Sequence, residues 1–170
     1  MKVVLADYGA GNLRSLASAL VRAGAEPVVT TDPDVVSGAP LAMIAGVGHV
    51  GSAAAGLRRN GLDVALRERI AAGRPVAGVC VGMQLFFGES DEGGQGLGLL
   101  DGTVPRLRAR RVPHMGWNTL AATRPSAILD GLDGADDHHV AEAAFKALGQ
   151  ALRQAVAPGG SGIRSTKGAA

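Results

Sequence analysis

Along the first ninety positions, short apolar runs alternate with stretches whose apolar residues recur at helical spacing. Lys2-Val3-Val4-Leu5-Ala6 reads as a buried first strand, closed by the turn-rich Asp7-Tyr8-Gly9-Ala10-Gly11-Asn12. Leu13, Leu16, Ala17, Leu20 and Val21 then line one face of a helix that Gly24 stops. Pro27 to Thr30 is a second short strand, and Asp32-Pro33 opens a brief helix with Asp as N-cap. Leu41 to Ala45 is a third strand, running into Gly46-Val47-Gly48. Two helices follow, Val50 to Arg58 and Leu62 to Ala72, the second with Leu62, Ala65, Leu66 and Ile70 in register and Gly73 at its end. Pro75 to Val79 is a fourth strand, and it leads straight into Gly78-Val79-Cys80-Val81-Gly82.

Strand and helix in alternation predict an α/β protein with a parallel sheet covered on both faces. Ligands in such sheets bind beyond the carboxyl ends of the strands, where all three Gly-rich turns fall. From Asp91 the pattern becomes loop-rich, through Gly93-Gly94-Gln95-Gly96, with a short hairpin-like region to Val104. Asp136-Asp137 can cap an amphipathic helix to about Val156, carrying Val140, Ala144, Leu148, Ala151 and Val156 on its apolar side. Pro158 to Ala170 is polar and Gly/Ser-rich and reads as a loop or loose tail.

Composition narrows this picture only slightly. The 170 residues suit one domain, and 46% hydrophobic against 3% aromatic residues predicts a core built from Ala, Val, Leu and Ile. The formal net charge is +2, and the basic stretch Arg106 to Arg111 has no interleaved aromatics, so it reads as a solvated loop and not a nucleic-acid site. No apolar run reaches the roughly 18 residues that span a bilayer, so no membrane partner is expected. The first strand begins at once, without a signal-peptide layout. A single cysteine excludes an internal disulfide framework and fits a reducing cytoplasm.

That cysteine is the strongest candidate for chemistry. A strand entering Gly-x-Cys-x-Gly and then a helix is the pattern of a nucleophile elbow, in which a sharp turn lifts the side chain to the end of the sheet. A thiol there would also sit at a helix N-terminus, whose dipole favours the attacking thiolate. The alternative is a small buried hydrophobe in an ordinary strand-to-helix turn. The Gly46-Val47-Gly48 turn could supply backbone N–H groups to an oxyanion beside the thiol, or be a plain strand-to-loop turn. Gly9-Ala10-Gly11-Asn12 lacks the third glycine of a dinucleotide loop, and no acidic residue ends a well-placed second strand.

Asp7-Tyr8-Gly9-Ala10-Gly11-Asn12-Leu13, Gly46-Val47-Gly48, Gly78-Val79-Cys80-Val81-Gly82-Met83-Gln84 and Pro113-His114-Met115-Gly116-Trp117-Asn118 occur in this order. Together they resemble the glutaminase subunits of imidazole glycerol phosphate synthase, class I glutamine amidotransferases of histidine biosynthesis, over about residues 1–134. The resemblance implies a flavodoxin-like fold and a Cys80 that attacks the amide carbon of glutamine and releases ammonia. It also implies an oxyanion hole from the N–H groups of Val47 and Val81, and substrate contacts from Gly48 and Gln84. Ammonia would pass to a partner cyclase subunit, toward which Asn12, His114, Met115, Trp117 and Asn118 would lie. No cofactor is implied for this chemistry. Ala45 departs from the family, which usually has proline before Gly-Val-Gly.

The family pattern continues through His-Ser-Tyr to a His-Pro-Glu that supplies the base and its orienting carboxylate, and neither occurs in these 170 residues. A thiol nucleophile passes its proton to a positioned His, and the sequence offers His49, His114, His138 and His139. Asp136-Asp137-His138-His139-Val140-Ala141-Glu142, followed by Ser165-Thr166-Lys167-Gly168, resembles the C-terminal end of imidazoleglycerol-phosphate dehydratase, a manganese-dependent enzyme of the same pathway. His138 and His139 lie four and three positions before Glu142, so a shared helical face is open to them. By that resemblance they would ligate manganese and Lys167 would meet substrate phosphate, although the partner motif is missing and a solvated His pair is the alternative. The expected organisation is therefore a truncated amidotransferase domain, 1–134, followed by a dehydratase-like helix and tail, 135–170. The expected function is an impaired glutaminase; the rivals are a non-catalytic cyclase-binding module and a remnant of a manganese-dependent lyase.

Overall fold

Among the described residues, a four-stranded, wholly parallel sheet in the order β2-β1-β3-β4 organises the fold. The computed structural model describes residues 1–106 and 108; of these, Lys2–Arg108 form one compact unit. Its strands are β1 (Lys2–Ala6), β2 (Glu26–Thr30), β3 (Leu41–Gly46) and β4 (Val76–Cys80). The helices between them are α1 (Leu13–Arg22), α2 (Pro33–Gly38), α3 (Val50–Arg59) and α4 (Leu62–Ala71). Each lies within one or two residues of the stretch its periodicity predicted.

The two inner strands are buried on both faces, as the unbroken apolar runs require. Val4, Ala6, Ala42 and Ile44 enter one cluster with Ala53, Ala54, Leu57, Leu62 and Leu66 of α3 and α4. Fully burying each of those leucines contributes on the order of 2 kcal/mol. Val3, Leu5 and Met43, equally buried, belong by the period of two to the opposite face. Among the described residues β2 and β4 are the sheet's edges, and both are only partly buried.

One charged side chain lies inside this core. Arg69 of α4 is 1% exposed, and its guanidinium donates to the carbonyls of Val36, Ser37 and Ala39 at 2.7–2.9 Å and of Pro75 at 2.9 Å. The first three are carbonyls at the end of α2, where a cation is favoured. Burial, and then the neighbouring Arg74, lower the affinity of this guanidinium for its proton. Arg74 adds a bond of 2.8 Å to the same Ser37 carbonyl.

Beyond β4 the structure departs from expectation twice. The helix after Cys80, α5 (Val81–Gln84), is a single turn, closed by Leu85 N–H to the Val81 carbonyl at 2.9 Å and Phe86 N–H to the Met83 carbonyl at 3.1 Å. The expected hairpin is instead a two-stranded parallel sheet of β5 (Phe87–Ser90) and β6 (Leu100–Val104). The cause is Leu97, buried at 1% exposure, whose N–H donates 2.7 Å to the Leu85 carbonyl, while Leu99 N–H donates 2.7 Å to Phe86. The chain thereby returns to the start of β5 before running alongside it. The intervening loop is fastened to α3, with Arg58 donating 3.3 Å to the carbonyls of Gln95 and Gly96 and the backbones of Gly51 and Gly94 in contact.

The junction expected near Gly134 to Asp137, the helix from Asp136 and the tail lie outside the described residues.

Candidate active site

β4 ends in Cys80 at φ 56° and ψ −123°, the one non-glycine residue with positive φ among those described. For a side-chain-bearing residue such a conformation costs about 1–3 kcal/mol and persists only where the surroundings enforce it. Here they do. A Cβ on Gly78 would stand 2.6 Å from Met83 Cα, and one on Gly82 would press on the Ile44 carbonyl and lie 3.2 Å from Ala45 Cα. Both flanking glycines are therefore demanded by close backbone approach, which folds the turn back on itself and against β3. The thiol emerges exposed.

Strand register decides what the thiol faces. Cys80 pairs with Gly46, so the carboxyl ends of β3 and β4 are level and Gly46-Val47-Gly48 leaves the sheet beside Cys80. Val47 is 59% exposed and Gly48 has φ +90°. On the other side Val81 begins α5, so its N–H has no partner within that turn. Two backbone segments bearing N–H groups thus flank the thiol, the layout that stabilises an oxyanion in acyl transfer. Gln84 closes the turn, half-buried. A single helical turn sums few peptide dipoles, so the field at the sulfur comes from these local N–H groups and not from the expected macrodipole.

His49 is engaged elsewhere. It is the N-cap of α3, with Nδ1 accepting from Ser52 N–H at 3.4 Å and Nε2 lying 3.0 Å from Ser52 Oγ. Asn12 caps α1 in the same way, accepting from Ser15 N–H at 3.2 Å. Its neighbour in the first loop, Tyr8, has a role that the sequence alone does not reveal. Tyr8 is 2% exposed and donates 2.8 Å to the Ala45 carbonyl, directly behind the Gly46 turn. Burial, and secondarily the nearby Cys80, push its phenol up to about 12. Its position as the only tyrosine, at the exit of a buried strand, was the available signal.

His114, Met115, Trp117, Asn118, His138, His139, Glu142 and Lys167 lie outside the described residues. Among the described residues no three His, Cys, Asp or Glu side chains gather as a metal site, and no helix is long and apolar enough to cross a membrane.

Comparison with known proteins shows the family and the fold. The family model for glutamine amidotransferase class-I matches residues 4–150. The chain is 48% identical over 135 residues to the imidazole glycerol phosphate synthase subunit HisH of Corynebacterium diphtheriae, covering 78% of this chain and 64% of that protein. It is 45% identical over 140 residues to the same subunit of Moorella thermoacetica, covering 81% and 67%. For Mycobacterium tuberculosis the figures are 48% over 134 residues, covering 77% and 65%. The chain thus spans about two thirds of the length of the curated relatives it matches. A solved glutamine amidotransferase structure superposes with a TM-score of 0.56 at 23% identity, over 65% of this chain and 59% of that one, and shows the shared α/β fold.

Proposed function

Because the chain belongs to the glutamine amidotransferase class-I family, we propose that Cys80 is the nucleophile of a glutaminase that hydrolyses glutamine to glutamate and ammonia. The observation that carries this reading is the pairing of a strained, exposed Cys80 with Gly46 across the ends of β4 and β3. The likeness to HisH subunits supports the finer assignment, a cytoplasmic subunit that feeds ammonia to a cyclase for imidazole glycerol phosphate synthesis.

The thiolate of Cys80 attacks the side-chain amide carbon of glutamine, forming the C–S bond as the carbonyl π pair moves onto oxygen. The N–H groups of Val47 and Val81 donate to that oxyanion; losing one such donor typically costs about 10²–10³ in rate. When the pair returns, the C–N bond breaks, and the nitrogen leaves as ammonia after gaining a proton. Water then attacks the thioester, giving glutamate and restoring the thiol. Gly48 and Gln84 hold the substrate, while Asn12, His114, Met115, Trp117 and Asn118 face the cyclase.

Both proton transfers need a positioned base, and such a group contributes about 10²–10⁴ in rate. His49 is committed to Ser52, and His-Pro-Glu does not occur in the 170 residues. We therefore propose that these 170 residues by themselves turn over slowly. Glutamate release with the cyclase present should be detectable, abolished by Cys80→Ala, and about 10²-fold or more below that of a relative bearing the His-Pro-Glu motif. Turnover equal to such a relative would overturn the impairment, and release that survives Cys80→Ala would overturn the nucleophile. The lack of that motif in these 170 residues favours one second reading, a module that binds the cyclase without catalysis. Stable binding in a pull-down, with no Cys80-dependent glutamate at all, would select it.

A further inference from the structure

The oxyanion turn is fixed from behind by a buried side chain outside the reacting groups. Gly46 owns the peptide that precedes it, Ala45–Gly46, and the N–H of Val47 belongs to the next one. Between the two planes only the φ and ψ of a glycine intervene, and glycine restrains neither. Something else must therefore hold Val47 N–H in one direction.

Besides the ladder pairing of Gly46 with Cys80, Tyr8 is placed for this on two counts. Its hydroxyl donates 2.8 Å to the Ala45 carbonyl, which pins the first peptide plane. The same hydroxyl also fills the space beside Gly46, where a Cβ would meet it and would lie 3.1 Å from Val81 Cβ. Tyr8 is in turn held by its ring, which packs against Gly56 of α3 closely enough that a Cβ there would stand 2.8 Å from Tyr8 Cδ2. The wedge thus backs the β3 turn at the point where Gly46 lies close to Val81, and it reaches the sulfur by no hydrogen bond among the described residues.

We propose that Tyr8 is a positioning residue for acyl transfer, aiming the Gly46–Val47 peptide so that its N–H meets the oxyanion formed at Cys80. This rests on the glutaminase reading above. A phenol held protonated up to about pH 12 stays a donor throughout any working range, so the anchor does not switch off near neutrality.

The role separates two reactions of one thiol. The γ-aldehyde analogue of glutamine adds Cys80 S–H across its C=O: the C–S bond forms, the π bond breaks, and the proton ends on the oxygen that the oxyanion hole receives. Iodoacetamide alkylates the same sulfur by displacing iodide and makes no oxyanion. Tyr8→Phe keeps the ring and removes only the hydroxyl. The expected result is about tenfold or greater weakening of aldehyde binding, short of the 10²–10³ of a lost donor, with the alkylation rate within about twofold of wild type. Any loss of folded protein alters both reactions, so the ratio of the two is the readout, and a Tyr8→Leu variant that loses the packing as well should depress both. An unchanged ratio in Tyr8→Phe would overturn the inference alone. No Cys80-dependent aldehyde adduct in wild-type protein would overturn the glutaminase reading, and this inference with it.

Discussion

Around Cys80 the backbone folds back on Met83 and on β3 through glycines that leave no room for a Cβ. At the opposite end of the same strands, Arg69 gathers the carbonyls of Val36, Ser37, Ala39 and Pro75. One end is held by steric fit between main-chain atoms, the other by hydrogen bonds from a buried cation. The difference follows from what each end does. On the glutaminase reading, this edge needs bare backbone N–H groups and an open approach, so its order must come from contacts that leave those N–H groups free. An edge that meets no substrate can be tied by as many hydrogen bonds as geometry permits.

Three substitutions test whether this contrast is real. Gly82→Ala should have the largest effect, because its methyl meets the Ile44 carbonyl, a backbone atom with nowhere to go. A loss of about 3 kcal/mol or more is expected in urea unfolding, together with loss of aldehyde binding at Cys80. A loss under about 1 kcal/mol would mean the elbow is looser than its contacts imply. Arg69→Met should cost about 2 kcal/mol, since it strips charged donors from carbonyls that are partly shut off from water. Unlike Gly82→Ala, it should leave the aldehyde-to-iodoacetamide ratio of the folded protein unchanged; a shifted ratio would show that the two ends are coupled. Cys80→Gly should have the smallest effect and the opposite sign, raising stability by about 1 kcal/mol as the strain at φ 56° is released. Measured destabilisation there would remove the claim that the thiol is held against a backbone preference.

Legibility in the sequence divides along similar lines. The four strands and first four helices were readable because each presents its own local pattern: apolar runs for β1 and β3, and 3.6-residue spacing for α1 and α4. Cys80 and Gly46-Val47-Gly48 were readable as a pair because each follows a strand, and parallel strands bring their carboxyl ends together. Tyr8 and Arg69 were not readable as they act. Their partners are main-chain carbonyls 37 and as many as 33 positions away, and a carbonyl is the same at every residue. The parallel pairing of β5 with β6 was missed for a related reason. A short connection normally makes a hairpin, and nothing local announced that Leu97 would be drawn back to Leu85. His49 reads from the sequence as a half-exposed loop residue, and its N-cap role escaped notice because a histidine N-cap is uncommon.

The choice of carbonyls as Arg69's partners has a consequence for how the domain responds to its medium. An arginine paired with a carboxylate loosens when acid protonates its partner. Amide oxygens do not take up a proton anywhere in the biological range, and the guanidinium gives none away. The fastening at the amino edge has no titratable half, so acidification leaves the base of the sheet tied while chemistry at its other end is free to change with proton supply.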